Sequence, residues 1–298
     1  MFTSAMASAP RGLVLARAVL SLFKLRIGVL IMVTALVGLA VTPGAALNFA
    51  QVLTLALSVL VASASAGAFN QYAEHQADRL MARTRGRAFA AGVLPHHPAW
   101  LALMALLLLA AVGAAWAMVN PAAAAYVFLG AFFYGVVYTL WLKRRTAWNI
   151  VVGGLAGSFA VLAGAAAADP VPGAQGWLLA LVLFLWTPPH FWSLAIANRA
   201  DYQQAGVPML PVVVGERRAA WIVFASTVAL VAASLAPLAF GAGWIYALGA
   251  IAGGAHFLRK TWQLACKPAR ASAIGAFLAS LVQLSALLAG ATLDAWLR

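Results

Sequence analysis

The chain has 298 residues, 65% of them hydrophobic and 8% charged, with a mean hydropathy of +0.95 and a formal net charge of +13. A water-soluble domain carries about 25% charged residues, so this composition cannot cover a globule with polar surface and points to an integral membrane protein. The single cysteine, Cys266, excludes an internal disulfide.

A membrane-spanning helix needs about 20 apolar residues to cross about 30 Å of hydrocarbon. Nine segments answer to that description: 26–42, 51–69, 99–119, 122–142, 148–168, 177–197, 219–240, the shorter 244–258, and 274–297. The expected fold is all-α, a polytopic transmembrane helical bundle. The segment before the first span has no clear cleavage site, so 1–25 reads as a cytoplasmic tail and 26–298 as a single transmembrane domain. Turns rich in proline and glycine close one side, at Pro43-Gly44, Asn120-Pro121, 170–176 and 241–243.

The cations gather on the other side. Arg11, Arg17, Lys24 and Arg26 precede the first span, and Arg79, Arg83, Arg85 and Arg87 follow the second. Lys143, Arg144 and Arg145 follow the fourth, Arg199, Arg217 and Arg218 the sixth, and Arg259, Lys260, Lys267 and Arg270 the eighth; only Arg298 lies opposite. This is the positive-inside pattern, placing the N-terminus in the cytoplasm and the C-terminus outside. Topology and contact with anionic lipid account for the basic surplus, and no nucleic acid is required.

The six acidic residues divide the same way. Asp169 and Asp294 fall on the outer side, whereas Glu74, Asp78, Asp201 and Glu216 fall in the inner connections after the second and sixth spans. In Asn70-Gln-Tyr-Ala-Glu74-His-Gln-Ala-Asp78 the oxygen-bearing side chains recur every fourth residue, so a helix continuing past the membrane stacks them on one face. Such oxygens suit Mg²⁺, which completes its shell with water and substrate phosphate. The arginines just beyond supply phosphate donors. A solvated helix end whose acids pair with nearby arginines accounts for the same residues.

The sixth span carries Trp186-Thr-Pro-Pro-His190-Phe-Trp192. Two consecutive prolines remove two backbone donors and predict a kink or break near the inner end, with freed carbonyls lining a cavity. His190, set among Trp186, Phe191 and Trp192, is an ionisable group at membrane depth and hence a functional candidate; a hydrogen-bonded packing histidine is the competing reading.

These residues resemble the UbiA-type intramembrane prenyltransferase superfamily, and within it the protoheme IX farnesyltransferase (heme O synthase) branch, over nearly the whole chain. The superfamily's Asn-x-x-x-Asp-x-x-x-Asp motif matches Asn70, Glu74 and Asp78, with Glu in place of the first Asp; Met81-Ala-Arg83-Thr84 and Arg87 continue it, with Ala88 where proline is usual. The heme branch is carried by Tyr138-Thr139, Leu142-Lys143-Arg144, Thr146, Asn149 to Gly154, Thr187 to Trp192, Asp201-Tyr202 and Ala205 to Pro211. Leu25 departs from a usual proline, and the second acidic segment has Asp201 alone where two acids are usual.

The resemblance implies transfer of the farnesyl group of farnesyl diphosphate to a vinyl group of heme b, with addition of water, giving heme O and diphosphate. It implies Mg²⁺ held by Asn70, Glu74, Asp78 and Asp201; diphosphate donors Arg79, Arg83, Arg87, Lys143 and Arg199; catalytic roles for Asp78, Asp201 and Tyr202; and heme contacts from His190 and Trp192. Tyr72, Phe191 or Trp192 would shield an allylic cation. It further implies a bacterial inner membrane with the site facing the cytoplasm, and heme A synthase as a downstream partner. A prenyltransferase for an aromatic quinone precursor and a transporter built on a proline-broken helix are the alternatives.

Overall fold

A computed structural model describes residues 11–297, among which no strand occurs. The helices are α1 (Arg11–Leu22), α2 (Leu25–Val41), α3 (Phe49–Ala73), α4 (His75–Leu80), α5 (Ala99–Met118), α6 (Pro121–Phe132), α7 (Asn149–Gly153), α8 (Leu155–Ala168), α9 (Ala174–Ala197), α10 (Arg199–Gln204), α11 (Leu210–Val214), α12 (Glu216–Leu235), α13 (Trp244–Cys266) and α14 (Arg270–Trp296). Several start on sequence-encoded caps. The Asn48 side chain accepts from the Gln51 N–H while Gln51 answers the Asn48 N–H, and Asn120 accepts from Ala123 with Pro121 in the first turn.

Among the described residues, eight helical segments are long and apolar enough to cross a membrane. α13, the eighth of the expected spans, runs to Cys266 rather than to residue 258. Its 23 residues reach roughly 34 Å, but Arg259 and Lys260 interrupt its apolar run. Exposed aromatics mark both ends of the bundle: Phe49, Trp177, Trp244 and Trp296 at one, Trp141 and Trp148 at the other, as membrane interfaces require.

Helices approach closely where side chains are small. On α2 and α8, a Cβ added to Gly164 would lie 1.7 Å from the Ala35 carbonyl oxygen, and one added to Gly38 2.3 Å from that of Val161. Without a hydrophobic drive between helices in lipid, such backbone contact is what fastens them. α2, α3, α6 and α8 form one packed group, and α9, α12, α13 and α14 another, joined through α8 against α9 and α14 against α2.

Three local features bear on what the sequence pattern predicts. α6 continues as a π-helix over Phe133–Leu142, whose i→i−5 bonding appears in the Lys143 N–H to Tyr138 C=O contact of 2.9 Å. Tyr134, Tyr138, Thr139 and Lys143 thereby fall near one line. Of the kink or break expected at Pro188-Pro189, no break occurs: α9 runs uninterrupted from Ala174 to Ala197. Hydroxyl groups bond carbonyls on either side of the prolines, Thr187 donating to Leu183 at 3.0 Å and Ser193 to Pro189 at 2.7 Å. Finally, the second expected span does not continue smoothly into the acidic motif. α3 stops at Ala73, and Glu74 joins it to α4 at φ −99°, ψ 5°.

Candidate functional site

The acidic motif keeps its fourfold spacing through that joint, because the Glu74 N–H still bonds the Asn70 carbonyl and the Asp78 N–H that of Glu74. Glu74 and Asp78 are 3% and 2% exposed. Buried carboxylates must be paired, and each is. Lys143 on the π-helix end reaches Glu74 at 2.5 Å, and Arg87 bridges both oxygens of Asp78 at 2.9 Å. The Asn70 amide donates to Glu74 at 2.8 Å and to Thr139 at 3.1 Å, while its oxygen accepts from Lys24 at 2.8 Å. Thr84 donates to the Asp78 carbonyl at 3.0 Å, pinning the loop that carries Arg83 and Arg87.

Lys24 is a residue that sequence reasoning assigned only to topology. It sits between α1 and α2 at φ 47°, ψ 43°, the one described non-glycine residue with positive φ. The αL conformation costs an L-residue roughly 1–2 kcal/mol and here turns the ammonium inward, to Asn70 and to the Tyr134 hydroxyl at 3.5 Å. The sequence signal was a lone lysine at the mouth of a span, indistinguishable from a topology charge.

The second segment meets the first through Arg83, whose guanidinium lies 3.5 Å from the Tyr202 hydroxyl. Both segments therefore occupy the same end of the bundle. Tyr202 is buried against Met81, Tyr138, Trp192 and Ile196. Burial holds its phenol above the usual tyrosine range, with Arg83 pulling the other way. Asp201, one residue earlier, is partly exposed and has no ion pair among the described residues.

Other expected site residues stand apart. Arg79 turns away, its Nε donating to the Ala90 carbonyl at 3.1 Å, and Arg199 pairs with Glu216 at 3.5 Å. Trp192 is 3% exposed within the core, its indole N–H without a protein partner. His190 stacks on Trp186 at 4.0 Å and on Phe277 at 4.6 Å, with Nδ1 2.6 Å from the Ser280 hydroxyl. That hydroxyl donates to the Phe277 carbonyl at 2.6 Å, so its oxygen accepts from His190 and the proton belongs on Nδ1. Nε2 keeps its lone pair.

Among the described residues no three acidic, histidine or cysteine side chains gather into a metal cluster. The donors fit a divalent cation of the Mg²⁺ type all the same, since that ion is commonly held by one or two carboxylates and completes its shell with substrate phosphate. Among the described residues, Arg87 and Lys143 engage the carboxylates Asp78 and Glu74, while Arg83 reaches only the Tyr202 hydroxyl, so a cation is left over that suits an added anion.

From this end an apolar cavity enters the bundle between α2, α3, α6 and α8, with about 680 Å³ of empty space, part of it open. Lys24, Gly67 and Tyr134 lie at its mouth; Val59, Tyr126 and Ala163 line it deepest.

Residues 31–282 match the family model described as the UbiA prenyltransferase family. The chain is 56% identical over 269 residues to "Protoheme IX farnesyltransferase 2" of Paramagnetospirillum magneticum, covering 90% of this chain and 93% of that one. Among solved structures it is similar to one described under digeranylgeranylglyceryl phosphate synthase, with TM-score 0.79, 15% identity, and 95% and 99% of the two chains covered. A UbiA homologue from Archaeoglobus fulgidus bound to GPP and Mg²⁺ aligns at TM-score 0.67 and 14% identity, covering 91% of this chain and 99% of that one.

Proposed function

The chain belongs to the UbiA prenyltransferase family, and from that premise we propose that it transfers the farnesyl group of farnesyl diphosphate to a vinyl group of heme b, releasing diphosphate and giving heme O. The observation that carries this reading is 56% identity, over a match covering 90% of the chain, with an enzyme named for that transfer. The paired acids at a basic rim supply the chemistry.

Diphosphate binds at the rim through Arg83, Arg87, Lys143 and Lys24. Asn70, Glu74, Asp78 and Asp201 would hold Mg²⁺ there, a reading supported by the UbiA homologue solved with GPP and Mg²⁺. When bound, that ion neutralises charge developing on the leaving group. In the free protein the oxygens of Asn70, Glu74 and Asp78 are held by Lys24, Lys143 and Arg87. Substrate binding would then be an exchange of partners, in which Asn70, Glu74 and Asp78 would be freed to hold the metal and Lys24, Lys143 and Arg87 would turn to phosphate.

The bond from C1 of the prenyl chain to the diphosphate oxygen breaks, and C1 takes allylic-cation character. The heme vinyl π-pair forms the new carbon–carbon bond, water captures the resulting cation, and one proton leaves to solvent. Arg83 and Lys143 hold the departing charge, and the faces of Tyr134 and Tyr138, stacked at 5.7 Å beside Lys143, line the path of the cation without reacting. His190, with Nε2 unprotonated, is the axial-ligand candidate for heme iron.

The protein spans the membrane nine times with its N-terminus and this rim in the cytoplasm, and its product passes to heme A synthase. The test is incubation of purified protein with heme b, farnesyl diphosphate and Mg²⁺, reading heme O by mass. Prenylation of 4-hydroxybenzoate in preference to heme b would overturn the reading.

A further inference from the structure

The cavity behind the acidic motif has a depth fixed by its helices. On α3 its lining runs from Gly67 to Val59, and on the chain from Pro121 to Leu142 it runs from Tyr134 to Tyr126. Both intervals are eight residues, roughly 12 Å of helix. Its walls are made wide by small side chains, Ala66, Gly130, Gly157 and Ala160 among them. Gly157 is the clearest case, because a Cβ placed there would meet nothing within 4 Å. Its helix face opens onto empty space rather than onto a neighbour.

The deep end is closed differently. Tyr126 is a large side chain in a wall of small ones, backed by Phe159 at 6.2 Å with rings nearly parallel. It packs against two separate hydrophobic clusters at once. A ring held in that way is a fixed floor rather than a loose plug.

We infer that Tyr126 sets the prenyl chain length, admitting three isoprene units and excluding a fourth. Each unit adds four chain bonds, roughly 5 Å when extended, by the bond lengths that give about 3.8 Å over three bonds of a peptide. With C1 at the Lys24 and Tyr134 mouth, three units, roughly 15 Å when extended, fit a depth of roughly 12 Å once the chain bends, and the terminal unit of a geranylgeranyl chain meets the tyrosine ring. This inference rests on the farnesyl-transfer reading and specifies its donor.

The experiment uses the full chain in lipid nanodiscs with heme b and Mg²⁺, comparing kcat/KM for farnesyl and geranylgeranyl diphosphates. Wild-type turnover of farnesyl diphosphate tests the underlying reading alone. Gly157→Leu fills the cavity near its mouth and should raise KM for farnesyl diphosphate at least tenfold; an unchanged KM would mean the chain lies elsewhere and overturn the inference. Tyr126→Ala should raise the geranylgeranyl-to-farnesyl ratio at least tenfold. An unchanged ratio, with farnesyl transfer retained and Gly157→Leu impaired, would leave the cavity as the prenyl site and remove Tyr126 as its limit. Should Tyr126→Ala not fold, Tyr126→Leu shortens the floor with less loss of packing and is judged by the same ratio.

Discussion

The two halves of the polar rim are built in opposite ways. In the segment from Asn70 to Arg87 both carboxylates are buried and engaged, Glu74 by Lys143 and Asn70, Asp78 by Arg87. Around Asp201 the reverse holds: the acid is partly exposed and unpaired among the described residues, while the Arg199 Nε nearby has no partner. A buried charge without a partner costs several kcal/mol, an exposed one almost nothing. The first half is therefore tied to folding, and the second is free to be spent on ligand.

The sharpest test of this contrast is the pair Asp78→Asn and Asp201→Asn. Each should lower kcat/KM about 10²–10³-fold, the cost of losing one transition-state stabilising group. Only Asp78→Asn should also lower unfolding stability, by about 2 kcal/mol for a charge-assisted hydrogen-bonded pair with a partly exposed partner. Equal melting behaviour of the two variants would dissolve the distinction.

A smaller effect is expected at Lys24. Lys24→Ala and Lys24→Gly both remove the ammonium and should raise KM for farnesyl diphosphate about tenfold, by loss of one charged contact. Glycine adopts the αL backbone freely, so Lys24→Gly should be about 1 kcal/mol the more stable of the two. Identical stabilities would show that the backbone there relaxes once the amine is gone.

The smallest effect lies at the opposite end of the bundle. Asp294, 3% exposed on α14, accepts the Gly243 N–H at 2.7 Å at the start of α13. It is a cap supplied by another helix, where a carboxylate also meets the positive end of the helix dipole. Asp294→Ala should lower stability by about 1 kcal/mol and leave farnesyl transfer intact, which measurement of both on one preparation would show.

Hydropathy made the spans legible, because a bilayer demands length and apolarity and little else. It under-read α13, whose apolar run ends at Arg259 although its helix continues to Cys266. The acidic motif was legible from spacing alone, but Lys24, Tyr134 and Thr139 were not. Their convergence on Asn70 depends on an αL turn and a π-helix, and neither leaves a mark in a 3.6-residue pattern. The proline pair does not break α9, because each proline removes only its own donor and the remaining backbone bonds carry the helix from Ala174 to Ala197.

The partner exchange proposed for Asn70, Glu74 and Asp78 would bear on how a catalytic cycle ends. Lys24, Lys143 and Arg87 each have an oxygen to which they return, so a spent pyrophosphate competes with groups that never leave the protein. Turnover then resets itself, and the harder the resting contacts pull, the faster the by-product is shed and the less tightly fresh donor is held.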